Sequence, residues 1–519
     1  MSDRSIRSGE ITRAFAIAVV VYAVALRLYF AAHVELMPEE TYYWNYARHL
    51  DIGYLDHPPM VAWLIRAGTW LFGDGAFGVR IGAVCCALIA SWYVYRLAKN
   101  LFGETTAALA LAIAQLLPFF FLQGMLMTPD GPLTAAWAAS LYYLERALVG
   151  GRARAWWGAG ASLGLGLISK YTIGLLGLAA FLYMVFDRRS RHWLRRYEPY
   201  AAAVLALAIF APVIIWNAEH HFASFAFQTA RRLAARPQFA LHKLIAASIV
   251  LLTPTGFLAA VAALVRAERG CAQLAERARR GANWLRFAVL VSLVVFVAFS
   301  LRREVKLDWT GAPWLAALPL IAFEIASASR PDAGRWRRGV RASLAPTLAL
   351  LAVLYPVGLY HLSAGLPGLG YSRRIELLPV GWRDLGRQVD RLSADYRAVH
   401  GRAPVVVGMD RYGIASELAF YGRGRADRIA DTTSAHLFGG PGLMYEMWVP
   451  AARQCGRDLL LVSFDPRSLD APAVHAAAGT LGPVEHGSLT RDGRAIRGYY
   501  YRFLGGYRGA GASCRNVPR

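Results

Sequence analysis

The chain has 519 residues, of which 56% are hydrophobic and only 18% charged, and its mean hydropathy is +0.33. That balance excludes a soluble multidomain protein of this size and points to a polytopic membrane protein. The formal net charge of +23 does not indicate a nucleic-acid binder, because the basic residues follow the topology of the loops instead of forming one patch.

A helix crossing about 30 Å of hydrocarbon takes roughly 20 mostly apolar residues. Such runs are predicted at residues 12–32, 78–97, 105–123, 131–149, 155–169, 171–186, 198–216, 244–265, 284–301, 312–328 and 342–361. Arg4, Arg7, Arg96, Lys99, Arg152, Arg154 and the basic runs at residues 188–196, 266–286 and 330–341 fall in alternate loops. The positive-inside rule makes that side cytoplasmic, so an odd number of spans, eleven, leaves the N-terminus inside and the region after residue 361 outside. The first apolar segment is long and lacks a small-residue cleavage site, which reads as a retained signal anchor.

The chain therefore divides into a helical membrane domain, residues 1–361, and an exported domain, residues 362–519. In the second, residues 403–409 (A-P-V-V-V-G-M) and 458–464 (D-L-L-L-V-S-F) read as buried strands, and residues 412–421 carry helical spacing. Residues 496–503 alternate like an edge or hairpin strand, and a small α/β domain follows. Residues 365–370 (G-L-P-G-L-G) form the exit from the last span. Cys455 and Cys514 share the exported region, where a disulfide and two free thiols both remain open readings.

The chemistry-bearing residues lie in the outer loops. Residues 38–44 (P-E-E-T-Y-Y-W) and 54–59 (Y-L-D-H-P-P) crowd Glu39, Glu40, Asp56 and His57 with Tyr42 and Tyr43 at the mouth of the first span. A solvated loop with an interfacial aromatic belt is the bland alternative. The paired prolines favour a fixed turn that holds ligands in place. Asp130, in M-T-P-D-G-P-L, lies flush with two apolar helices, a placement that suits function as well as a helix cap. Lys170 interrupts an apolar run and reads either as a snorkelling side chain or as a partner for an anion. One outer loop carries Asn217, Glu219, His220, His221, Arg231 and Arg232, and another Arg302, Arg303, Lys306 and Asp308; their basic residues run against the positive-inside bias. Guanidinium groups there suit a phosphate.

Oxygen and nitrogen donors for a divalent ion exist in Glu40, Asp56, His57 and His220, without a spacing that specifies a metal site. No P-loop or G-x-G-x-x-G precedes a helix, so no nucleotide cofactor is expected.

These motifs, with L-I-S-K-Y-T (residues 167–172), W-N-A-E-H-H-F-A-S-F (216–225) and L-D-W-T-G-A-P-W (307–314), resemble the GT-C polyprenyl-phosphate-sugar-dependent glycosyltransferases, in particular bacterial relatives of protein O-mannosyltransferase and of lipid A aminoarabinose transferase. The resemblance covers the first 330 or so residues. It implies a GT-C membrane fold in a bacterial inner membrane with a periplasmic C-terminal domain. It also implies inverting transfer of one sugar from a polyprenyl-phosphate donor to lipid A or lipopolysaccharide, another glycolipid or a protein. Glu39 stands where the family carries its first-loop aspartate, with Glu40 beside it as a rival, and Asp130 matches the second-loop aspartate. The resemblance sets His57 and Lys170 against the donor phosphate. Arg231, Arg232 and Arg303 are further candidates for that phosphate, and Tyr42, Tyr43, Asp56, Asn217 and His221 for substrate contacts. The competing class is a transporter or flippase of a lipid-linked or anionic substrate, which would also use acids and basic outer loops; the charges, however, cluster on one face, and no paired broken helices or inverted repeat is visible.

Overall fold

The computed structural model describes residues 2–229, 237–271, 275–304, 306–328, 334–371, 378–422, 432–491, 494–509 and 514. The chain is a mostly helical, polytopic membrane protein. Among the described residues six helices are long and apolar enough to cross a membrane: Glu10–His33, Ala76–Phe102, Glu198–Glu219, Leu241–Val265, Glu276–Ser300 and Arg335–Ala364. Four shorter apolar helices, Met60–Phe72, Glu104–Leu116, Tyr171–Phe186 and Ala312–Ser327, accompany them.

Two compact units are present. The first takes residues 1–29, 57–61 and 80–357, and the second takes residues 30–56, 62–79 and 358–519. The segments 30–56 and 62–79 thus group with the C-terminal region, whereas the sequence reading assigned them to the membrane domain.

The first unit is built from α1 (Ser2–His33), which continues into the second unit, and from later helices that include α5 (Glu104–Leu116), α6 (Pro118–Gln123), α7 (Asp130–Leu144), α8 (Ala155–Leu167) and α10 (Glu198–Glu219). The run expected as one span at 105–123 is broken at Leu117, because Pro118 cannot donate to the preceding turn. Buried Arg27 donates to the carbonyls of Phe120 and Phe121, near the end of α6, and to Gln115 Oε1 at 2.6 Å. A charged group at this depth is tolerated because its donors are satisfied. The span expected at 244–265 is likewise broken, at Thr253, whose φ of +67° precedes Pro254. Small residues bring α8 against α10: a Cβ at Gly160 would meet the Ala202 carbonyl oxygen at 2.5 Å, and one at Gly164 the Ile209 side chain at 2.8 Å. This is a G-x-x-x-G contact, in which missing side chains let two backbones approach.

The second unit carries a mixed six-stranded sheet. β1 (Val405–Gly408) lies between β2 (Thr432–Ser434) and β3 (Leu459–Ser463), parallel to both. β6 (Arg494–Gly505) runs antiparallel to β3 and also pairs with β4 (Thr480–Leu481) and β5 (Glu485–Arg491). It is the hairpin partner of β5, and its second half, residues 500–504, also pairs with β3. Alternate residues of β1 and β3 face two cores. Val406, Leu460 and Val462 meet Trp382, Leu385 and Val389, whereas Val405, Val407, Leu459 and Leu461 meet Leu469, Val474 and Tyr507. Burial on both faces explains why these strands read as unbroken apolar runs. Cys455 and Cys514 are joined by a disulfide, which closes the open choice left by the sequence.

Residues 38–44 are not an irregular loop. They open α2 (Pro38–Arg48), in which residues 40–47 are all buried, so a solvated aromatic belt is ruled out.

Candidate active site

In the first unit, Asp130 and Lys170 are brought together. The Lys170 ammonium donates to Asp130 Oδ1 and Oδ2, each at 2.9 Å, and to Asp308 Oδ2 at 2.7 Å. The ammonium is thus bridged between two carboxylates. Lys170 occupies the turn after α8, where extended backbone precedes a 3-10 turn, and its side chain is buried instead of snorkelling to a surface. Asp130 is the first residue of α7 and makes no capping hydrogen bond, so its carboxylate serves the lysine, not the helix end. It immediately precedes the span expected at 131–149. Burial pushes its carboxyl above the usual range, with Lys170 opposing. For Asp308 burial pushes the same way, but Lys170 outweighs it and the net shift is downward. Burial acts against the Lys170 charge, yet the two carboxylates prevail and hold it firmly protonated.

The surroundings fix this triad. The Met60 N–H, just past the paired prolines, donates to the Ile168 carbonyl at 3.0 Å and so ties the turn that carries Lys170 to residues 57–61. A Cβ at Gly311 would lie 2.1 Å from the Phe119 ring, which explains the glycine three residues after Asp308. Asn217 spends its side chain on backbone: Nδ2 donates to the Val213 carbonyl at 2.9 Å, and Oδ1 accepts from the Phe225 N–H at 3.1 Å. It holds the turn at residues 217–225, to which Tyr171 is linked through the Ser224 hydroxyl at 3.0 Å.

In the second unit, α2 separates Glu39 from Glu40. Glu40 is buried and its carboxylate accepts the Met37 N–H at 3.1 Å, closing the start of the helix, whereas Glu39 is exposed on the first turn. Asp56 is buried and accepts hydrogen bonds from the Tyr46 hydroxyl and, at 3.1 Å, from that of Tyr42. Burial raises its carboxyl pKa, and the two phenols oppose that rise. Tyr42 packs on Tyr412 at 4.5 Å between ring centroids, and Tyr46 stacks on Tyr54 at 3.9 Å. The Met444 N–H donates to the Tyr42 hydroxyl at 3.3 Å. Tyr43 is buried beside them.

Tyr46→Phe is expected to destabilise the protein by about 1–3 kcal/mol, since it strands part of a buried acceptor. The sign with pH follows from the raised carboxyl: the folded state holds its proton more tightly, so this group's contribution falls as pH rises through the folded pKa. Losing Tyr46 moves that pKa further up. Thermal unfolding in detergent should therefore show a larger deficit at about pH 8 than at about pH 4.

His57 is half-buried and Arg303 partly exposed; His220 stacks on Trp216 at 4.0 Å and bonds its carbonyl, and His221 is exposed at a φ of +52°. Arg231 and Arg232 lie outside the described residues. Among the described residues no three His, Cys, Asp or Glu side chains converge as a metal-ligand set. Of the donors suggested by the sequence, Glu40 is drawn into a helix start, Asp56 to tyrosine hydroxyls and His220 into an indole stack. Sequence reasoning passed over Asp308 as a site residue, although an acid two residues after Lys306 in a basic loop was its available signal. It also passed over Tyr46.

The family described as dolichyl-phosphate-mannose-protein mannosyltransferase matches residues 56–216, a stretch that contains Asp130 and Lys170. The crystal structure of ArnT from Cupriavidus metallidurans in the apo state superposes with a TM-score of 0.60 at 17% identity, over 94% of this chain and 98% of that one. The chain shares that fold. The archaeal oligosaccharyltransferase AglB from Archaeoglobus fulgidus shares the fold at a TM-score of 0.50 and 12% identity, over 97% of this chain and 75% of its own. An undecaprenyl phosphate-α-4-amino-4-deoxy-L-arabinose arabinosyl transferase of Pseudomonas fluorescens is 30% identical over 200 residues, 34% of each chain. Lipid A galacturonosyltransferase RgtD of Rhizobium johnstonii is 25% identical over 195 residues, 35% of this chain and 38% of its own. The chain thus spans about a third of the length of the curated relatives it matches.

Proposed function

We propose that the protein is an inverting glycosyltransferase that moves one sugar from a polyprenyl-phosphate donor to lipid A or a related envelope glycolipid. The observation that carries this reading is the buried ammonium of Lys170 held between two carboxylates, a cation kept ready within the stretch shared with the mannosyltransferase family. The names of the relatives support the donor and the acceptor class: arabinosyl and galacturonosyl transferases, and an ArnT from Cupriavidus metallidurans solved bound to undecaprenyl phosphate.

In this reading the acceptor hydroxyl attacks the anomeric carbon, the bond to the phosphate oxygen breaks, and the electron pair leaves with the phosphate. Glu39 takes the acceptor proton as general base. Lys170, aided by His57 and by arginines of the basic loops, stabilises charge growing on the phosphate. The hydrogen bond from the Met37 N–H to the buried Glu40 carboxylate, at the helix start, supports Glu39 over Glu40 as the base in this reading. Eleven spans, a cytoplasmic N-terminus and a periplasmic C-terminal domain in a bacterial inner membrane complete the proposal. The Cys455–Cys514 bridge supports an oxidising compartment for the last of these.

The test is transfer of sugar from a polyprenyl-phosphate donor to lipid A by purified protein in detergent. Glu39→Gln is expected to lower the rate by about 10²- to 10⁴-fold with an unchanged melting curve. Glu40→Gln should instead lower the melting temperature. Equal transfer by wild type and Glu39→Gln would remove the general-base assignment, and no transfer by wild type would remove the function.

A further inference from the structure

We propose that Asp308 is an exchangeable placeholder for the donor phosphate, the arm of the Lys170 triad that leaves when the phosphate arrives. The proposal rests on the donor reading above.

An ammonium has three protons and no fourth donor. In this structure the ammonium is flanked by Asp130, through both oxygens, and by Asp308, through one, so a phosphate that pairs closely with Lys170 competes with a carboxylate for it. The two carboxylates are not equally replaceable. Asp130 holds the lysine with both oxygens, its side chain is 8% exposed, and it is rooted at the start of α7. Asp308 holds it with one oxygen, its side chain is 36% exposed, and it lies in the turn between the helix Glu276–Ser300 and the 3-10 turn Ala312–Ala317. Arg302 and Lys306, exposed on the same loop, can receive the freed carboxylate.

Charge makes exchange the favoured route. With both carboxylates ionised, the triad carries one net negative charge. A phosphate added without a departure would place three anionic groups around one cation, where like charges a few ångströms apart repel strongly at low local dielectric. Exchange of Asp308 for phosphate keeps the ammonium paired throughout, and return of Asp308 helps expel the carrier phosphate after transfer. Asp308 is therefore a positioning residue that sets donor affinity and carrier release, not a group that meets the reacting carbon.

The experiment measures binding of undecaprenyl phosphate, and transfer kinetics, with purified full-length wild type, Asp308→Asn, Asp308→Ser and Lys170→Met. Both Asp308 variants are expected to bind the carrier on the order of tenfold tighter, a change equivalent to about 1.4 kcal/mol. The KM for donor should fall together with kcat, because release slows. Lys170→Met should lose binding. Two variants at one position guard against a single one that misfolds, and melting curves identify such a case. Wild type that binds while folded Asp308 variants bind no tighter overturns the placeholder role and leaves the function standing. Wild type that neither binds the carrier nor transfers sugar overturns both.

Discussion

Asp130→Asn is expected to lower sugar transfer by at least about 10²-fold, and Asp130→Ala to add a stability loss of about 3–5 kcal/mol. The two effects separate because Asp130 does two things. It orients the Lys170 ammonium through both carboxylate oxygens, and it neutralises a buried charge. Asparagine keeps one acceptor and the shape, so the fold persists while the lysine turns toward Asp308. Alanine leaves the ammonium with one partly exposed partner, and the desolvation of a buried cation is then poorly offset. Transfer rates and thermal melts on the same preparations check both statements. An Asp130→Asn enzyme within about threefold of wild type would mean that the triad is structural only.

The second large effect is on the C-terminal fold. Cys455 and Cys514 are 59 residues apart in sequence, and the loop they close contains β3, β4, β5 and β6. Cross-linking a loop of this length removes about 4 kcal/mol of chain entropy from the unfolded state. The double variant Cys455→Ser/Cys514→Ser should lose most of that, read as a lower denaturation midpoint for the second unit and as faster proteolysis between β3 and β6. Identical midpoints with and without reductant in the wild type would show that the bridge contributes nothing to this fold.

Parts of this architecture were open to reading from residues alone, for identifiable reasons. β1 and β3 could be read because strands buried on both faces are unbroken apolar runs. Asp130 and Lys170 could be read because charge beside apolar helices is rare and has to be partnered. The helix α2 could not be read, since burial of residues 40–47 all around its axis erases the amphipathic period, and its partners come from Tyr412 to Trp448. Adjacent glutamates likewise carry no label in sequence. Only the geometry of the first turn sends Glu40 back to the Met37 N–H and leaves Glu39 outward. Asp308 was missed because its importance lies in a loop conformation that brings it to a lysine 138 residues earlier.

The packing of α2 also carries a consequence for how the protein is made. In open α/β sheets the crevice beyond the carboxyl ends of the strands is where ligands bind. Here α2 lies against the segment that leaves β1: the Tyr42 ring packs on Tyr412, and Pro38 comes within reach of Gly413. The hydrogen bond from Met444 to Tyr42 spans 402 residues of sequence, so α2 leaves the ribosome long before its partners do. Contacts of such separation form late, after a long loop has closed. Glu39 therefore acquires its setting only when the chain is nearly complete, and a truncated product would reach the membrane with its first-loop acid unplaced.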